Sequence, residues 1–146
     1  MYAVVGFDGS GSALRALDAA SRLLRGRSGT LEVVYVAHLS AIVSGADLTG
    51  RAMAEVRSGL NDVARELSDE TRAHLQGTEQ RWHFQRRDGV IADELRAAAD
   101  ELRDQHGPEA AVVIVVGRSE HGYHHVMGSV PQALERHDHY PVLVIP

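Results

Sequence analysis

The strongest constraint on this chain is an alternation between two hydrophobic periods. Tyr2-Ala3-Val4-Val5-Gly6-Phe7 is short, apolar and β-branched, and it runs into the turn-forming cluster Asp8-Gly9-Ser10-Gly11-Ser12. That pattern predicts a buried strand followed by a loop. Ser12 is placed as the N-cap of a helix that carries Leu14, Leu17, Ser21 and Leu24 and ends at Gly26. Leu31-Glu32-Val33-Val34-Tyr35-Val36 is a second strand, nearly continuous in apolar residues, as expected where helices cover both faces of a sheet. The small-residue stretch 38–50 has no clear period and is read as a functional loop. From Arg51, the series Met53, Val56, Leu60, Val63 and Leu67 predicts a second helix that stops at Gly77.

Arg81-Trp82-His83-Phe84-Gln85-Arg86 alternates weakly and is rich in arginine, which suits a strand at a sheet edge. Ile91, Leu95, Ala98 and Leu102 mark a third helix, closed by Gly107-Pro108. Residues 111–116 form the most hydrophobic strand and are placed centrally. Ser129 caps a short helix to about Arg136, and Val142-Leu143-Val144-Ile145 is the last strand. The order β-α-β-α-β-α-β-α-β predicts an α/β fold: a parallel sheet, helices on both faces and right-handed crossovers.

Length and composition narrow the function. The 146 residues fit one domain spanning 1–146. Zero cysteines exclude a disulfide framework, a thiolate nucleophile and a zinc–thiolate site. All 15 basic residues are arginine, so Schiff-base chemistry and a phosphate-loop lysine are both excluded. A net charge of -5 argues against nonspecific nucleic-acid binding, which needs a basic footprint. The longest strongly apolar run, 110–116, is far short of the ~20 residues that span a membrane. With no secretory signal pattern at the start, the expectation is a soluble, cytoplasmic protein with no membrane partner.

In an open parallel sheet, ligands bind beyond the carboxyl ends of the strands, near the point where strand order reverses. Two loops follow strands and open helices, one at 8–12 and the other at 117–129. If the first strand and the strand at 111–116 are neighbours, both loops open onto one crevice. The second loop carries Gly117, Gly122 and Gly128, then Ser129-Val130 at a helix start. Outward-pointing amides at a helix N-terminus bind phosphate without lysine, and glycines let the backbone approach the anion. The alternative use of these residues is a plain strand-to-helix turn with a serine cap. Asp8, followed by Gly9, can accept hydrogen bonds from a ribose hydroxyl or a base amino group. Its alternative is an Asx-turn.

Val4-Val5-Gly6-Phe7-Asp8-Gly9-Ser10 resembles the opening signature of the universal stress protein family. Gly89 and the residues to Leu95 are similar to that family's glycine-led start of its third helix, with Ile91 where proline is common. Val113-Ile114-Val115-Val116-Gly117, Gly128-Ser129-Val130 and Tyr140-Pro141-Val142-Leu143-Val144-Ile145 resemble the family's C-terminal half. The resemblance covers essentially the whole chain. It implies a five-stranded parallel Rossmann-like sheet in the order 3-2-1-4-5, and a homodimer made through the last strand, Val142–Ile145. It also implies a regulatory protein, a member of a family in which some proteins bind ATP and others do not. In the binders the motif runs Gly, two residues, Gly, nine residues, Gly, then Ser or Thr. Carried over, its first glycine is Gly117 and its closing pair Gly128-Ser129. Asp8 contacts the nucleotide, and the second strand's end near Val36 faces the adenine through its backbone.

The loop departs from that motif. Glu120 stands where the second glycine is expected, ten residues instead of twelve separate Gly117 from Gly128, and Pro131 replaces a serine common in binders. Arg118 and the cluster His121, His124 and His125 bring positive or titratable groups to the same loop. The histidine spacing also suits a metal on one helical face, though no metal is expected. A GxSxG elbow and a GxGxxG fingerprint are both missing, which excludes the common serine hydrolase and dinucleotide readings. The sequence therefore supports adenine-nucleotide binding, with ATP as ligand, between Asp8 and the loop of residues 117–129. The alternative is a dimeric interaction module that binds no nucleotide and has a shortened, degenerate phosphate loop. No catalytic residue is assigned, and efficient turnover is not expected.

Overall fold

The computed structural model describes residues 1–37, 50–118, 130–135 and 139–146. Strands and helices alternate along the chain: β1 (Tyr2–Gly6), α1 (Gly11–Leu24), β2 (Thr30–Ala37), α2 (Arg51–His74), β3 (Arg81–Asp88), α3 (Ile91–His106), β4 (Val112–Gly117), α4 (Val130–Glu135) and β5 (Val142–Ile145). The five strands form one sheet in the order β3-β2-β1-β4-β5. Every pairing in it is parallel.

Side-chain alternation divides the core between the two faces. Ala3, Val5, Val33, Val113 and Val115 point to one side and pack with Ala16, Leu17, Ala20 and Leu24 of α1 and with Leu67 of α2. Val4, Val34, Ile114 and Val116 point to the other and pack with Leu95, Ala98, Ala99 and Leu102 of α3 and Leu134 of α4. This is why β4 is apolar at every position, since both of its faces are covered. β4 lies inside the sheet, between β1 and β5, while β1 holds the middle place. The arginine-rich β3 is an edge strand, and its charged residues discourage further pairing there.

Helix ends follow local chemistry. Ser10, rather than Ser12, is the N-cap of α1: its backbone is extended (φ -69°, ψ 158°), and its Oγ accepts a hydrogen bond from the Ala13 N–H. Ser12 instead lies in the first turn of the helix, buried, with its Oγ 3.2 Å from the Ser10 hydroxyl. The second helix stops at His74, short of Gly77. α3 stops as its Gly107-Pro108 signal implies, with Gly107 at φ 91°. None of the helices among the described residues is long and apolar enough to cross a membrane.

Candidate functional site

The strand order reverses at β1, whose neighbours β2 and β4 are reached by crossovers on opposite faces of the sheet. The chain leaving β1 therefore diverges from the chain leaving β4, and a cleft opens between them at the carboxyl edge. It measures about 280 Å³, close to the ~300 Å³ lower end of small-molecule sites.

Four of the sequence-predicted residues, Asp8, Val36, Gly117 and Val130, line this one cleft. Asp8 enters it from the turn after β1. The turn is held on one side by the Phe7 N–H donating to the Val34 carbonyl (2.9 Å) and on the other by the Ser10 N–H donating to Asp8 Oδ1 (3.0 Å). The second bond is the Asx-turn that the sequence offered as an alternative role for Asp8. It engages one carboxylate oxygen and fixes the direction of the other. Val36 brings the end of β2 to the cleft, and Val130 the start of α4.

Gly117 is placed by a close approach. A Cβ there would lie 2.5 Å from the carbonyl carbon of Ser12 and 2.6 Å from its oxygen. Only glycine lets β4 end directly beneath the first turn of α1. Gly9 and Arg118 do not line the described cleft. Gly9 makes the turn after Asp8 at φ +78°, and the Arg118 N–H donates to the Ile145 carbonyl at 2.7 Å, tying the chain after β4 to β5. Gly122, Gly128, Ser129, Glu120 and the histidines His121, His124 and His125 lie outside the described residues, as does the loop 38–49.

The cleft also contains residues that the sequence did not assign to a ligand. Ser10, Ser12 and Ala13 place the N-terminal turn of α1 against it, and Ile91 and Leu95 of α3 form an apolar wall with Val34 and Val116. Pro131 joins Val130 on the α4 side. The signal for Ser10 was its position two residues after Asp8. The signal for Ile91 and Leu95 was the glycine-led helix start, which identifies a helix without saying which end of the sheet it approaches.

The cleft thus has a carboxylate at its rim, hydroxyls and the positive end of the α1 dipole on one side, and an aliphatic wall on the other. Such a site can hold a flat apolar ring, a group with hydrogen-bond donors and an anion together. Among the described residues, no group of three or more His, Asp or Glu side chains is arranged to hold a metal ion.

Comparison with known proteins agrees with the fold. No curated protein matches the chain. A crystal structure of a protein from the universal stress protein family of Burkholderia pseudomallei is 25% identical, with a TM-score of 0.70 over 99% of this chain and 95% of that one. The universal stress protein UspA of Lactobacillus plantarum is 22% identical, with a TM-score of 0.69 over 100% and 97% of the two chains. A universal stress protein in complex with cAMP is 23% identical, with a TM-score of 0.62 over 100% and 97%. One from Archaeoglobus fulgidus in complex with dAMP is 24% identical, with a TM-score of 0.50 over 100% and 98%. The model of the universal stress protein family matches residues 2–146, and the chain belongs to that family.

Proposed function

We propose that residues 1–146 act as one universal-stress-type regulatory domain that binds an adenine nucleotide, ATP among them, in the cleft at the carboxyl edge of β1 and β4. The observation that carries this reading is the convergence of Asp8, Val36, Gly117 and Val130 on one cleft. Family structures in complex with cAMP and with dAMP support an adenine nucleotide as the ligand class.

In this reading the adenine lies against the aliphatic wall of Val34, Ile91 and Leu95, with the backbone near Val36 meeting its edge. The free oxygen of Asp8 accepts from a ribose hydroxyl. The phosphates lie toward the amides of Gly128, Ser129 and Val130, with Gly117 seating the start of α1, whose dipole adds positive potential. Gly9 supports the site by permitting the turn after Asp8 and Arg118 by its charge, and Gly122 is assigned to the site from the sequence alone. The chain binds without efficient turnover, because it has no phosphate lysine and no carboxylate pair placed for magnesium has been assigned. The protein works as a homodimer through β5, where Leu143 is 38% exposed on a strand that, among the described residues, pairs with β4 alone. Leu143→Arg should convert a sedimenting dimer to monomer.

Calorimetric titration with ATP, ADP and AMP tests the binding. One saturable site is expected, weakened about tenfold by Asp8→Ala, the loss of one charge-assisted hydrogen bond at roughly 1.4 kcal/mol. No heat of binding and no thermal stabilisation with any of the three would favour an interaction module without a nucleotide.

A further inference from the structure

A second cavity, of about 220 Å³, lies on the α3 face of the sheet and includes the start of β2 in its lining, away from the nucleotide cleft. Its floor holds Glu32, the third residue of β2, which is only 8% exposed. β2 lies between β1 and β3, so this side chain cannot turn around a sheet edge into water.

A carboxylate in such a place needs a counter-charge or a full set of donors. Glu32 has little of either. The His83 ring comes from β3 to 3.6 Å, beyond hydrogen-bonding distance, and is itself 75% exposed. Gln85 supplies a hydrogen bond. The nearby strong cation, Arg87, is engaged elsewhere: its Nε meets Glu94 at 3.0 Å, and its other two nitrogens meet Glu101 at 2.6 and 3.1 Å. Burial holds the Glu32 carboxyl above its ordinary range, against the opposing effects of the His83 ring and the Gln85 hydrogen bond.

The rest of the cavity suits a cation with an aliphatic part. Gln105 and the Glu101 carboxylate, the latter already paired with Arg87, line it beside Glu32, and Ala98 and Leu102 add an apolar part to its wall. His106, at the far wall, is stacked on Tyr2 with ring centroids 4.2 Å apart. The apolar residues Ala98 and Leu102 beside the carboxylate favour a cation that carries an alkyl part.

We propose that this cavity binds a small organic cation, an alkylammonium or alkylguanidinium, with its charged head on Glu32 and its alkyl stem on Ala98 and Leu102. The head supplies the donors and the charge that Glu32 lacks, and the stem covers apolar surface.

The test is titration of the full chain with propylguanidinium and propylammonium chloride at matched ionic strength, followed by the side-chain amide NMR signals of Gln85 and Gln105. Saturable shifts are expected, with affinity falling on the order of tenfold in Glu32→Gln. Asp8→Ala, in the nucleotide cleft, should leave this affinity unchanged, so failure here and failure of the nucleotide reading are separable. Gln105→Trp, which narrows the mouth from an exposed helix position, should weaken binding while the fold is kept. No saturable shift in the wild-type chain overturns the proposal. So does wild-type affinity in Glu32→Gln or, should that variant not fold, in Gln105→Trp.

Discussion

Gly117, the last residue of β4, lies directly beneath Ser12 in the first turn of α1, and a Cβ at Gly117 would sit 2.6 Å from the Ser12 carbonyl oxygen. Two walls of the cleft at the carboxyl edge therefore meet at a contact that only glycine permits. Gly117→Ala must push the start of α1 away from the sheet. The expected cost is about 1–3 kcal/mol of stability, as for other overpacked sites. Chemical denaturation should show it, together with weaker nucleotide binding. An alanine variant with wild-type stability and affinity would mean that the contact is looser than described.

The Arg87 pair with Glu101 and Glu94 ties β3 to α3. Hydrogen bonding to Arg87 holds the Glu101 carboxyl below its ordinary range. A depressed carboxylate contributes stability that is present above its unfolded pKa and is lost as pH falls through the folded one. Arg87→Met is therefore expected to destabilise at pH 7 by roughly 1–2 kcal/mol, discounted because Glu101 is half exposed. The difference from wild type should shrink below about pH 4, in the ordinary carboxylate range. Denaturation midpoints of both proteins at pH 7 and pH 3.5 check this.

Tyr140 clips the segment before β5 to α3. Its hydroxyl donates to Asp100 Oδ1 at 2.5 Å, and the Arg103 guanidinium lies 4.4 Å from its ring centroid. Burial, then the hydrogen bond and charge of Asp100, push the phenol up to about 12. A raised phenol pKa contributes stability that is complete below the unfolded value near 10 and is lost as pH climbs to the folded value. The wild-type protein should lose roughly 2 kcal/mol across that interval. Tyr140→Phe should begin about 1 kcal/mol less stable at pH 8 and lack this alkaline step. Urea titrations at pH 8, 10 and 11.5 distinguish the two.

The regular parts of this fold are legible in the sequence because they depend on local periods. The near-continuous apolar run of β2 announced two covered faces, the hydrophobicity of β4 announced an inner strand, and the arginines of β3 announced an edge. Strand neighbours are another matter: nothing in residues 2–7 says that they pair with residues 112–115, and the order came from family resemblance. The α1 cap shows the limit of pattern reading at close range. Ser10 and Ser12 are both good caps, and the bond from the Ala13 N–H to Ser10 decides between them. In the site, Asp8 and Gly117 were legible as strand-end residues, whereas Ile91 and Leu95 needed the packing of α3 to bring them there. Glu32 was least visible of all. Within an apolar run a single acid has no period of its own, and its meaning depends on what α3 and β3 place around it.

The central claim, one adenine-nucleotide site between β1 and β4, is tested most directly by backbone amide NMR during titration with ATP. Saturable shifts should concentrate at Asp8, Ser10, Ser12, Val36, Gly117 and Val130, with the amides around Glu32 and His83 unmoved. Saturable shifts absent from the residues around Asp8 and Gly117, or centred elsewhere on the sheet, would contradict it.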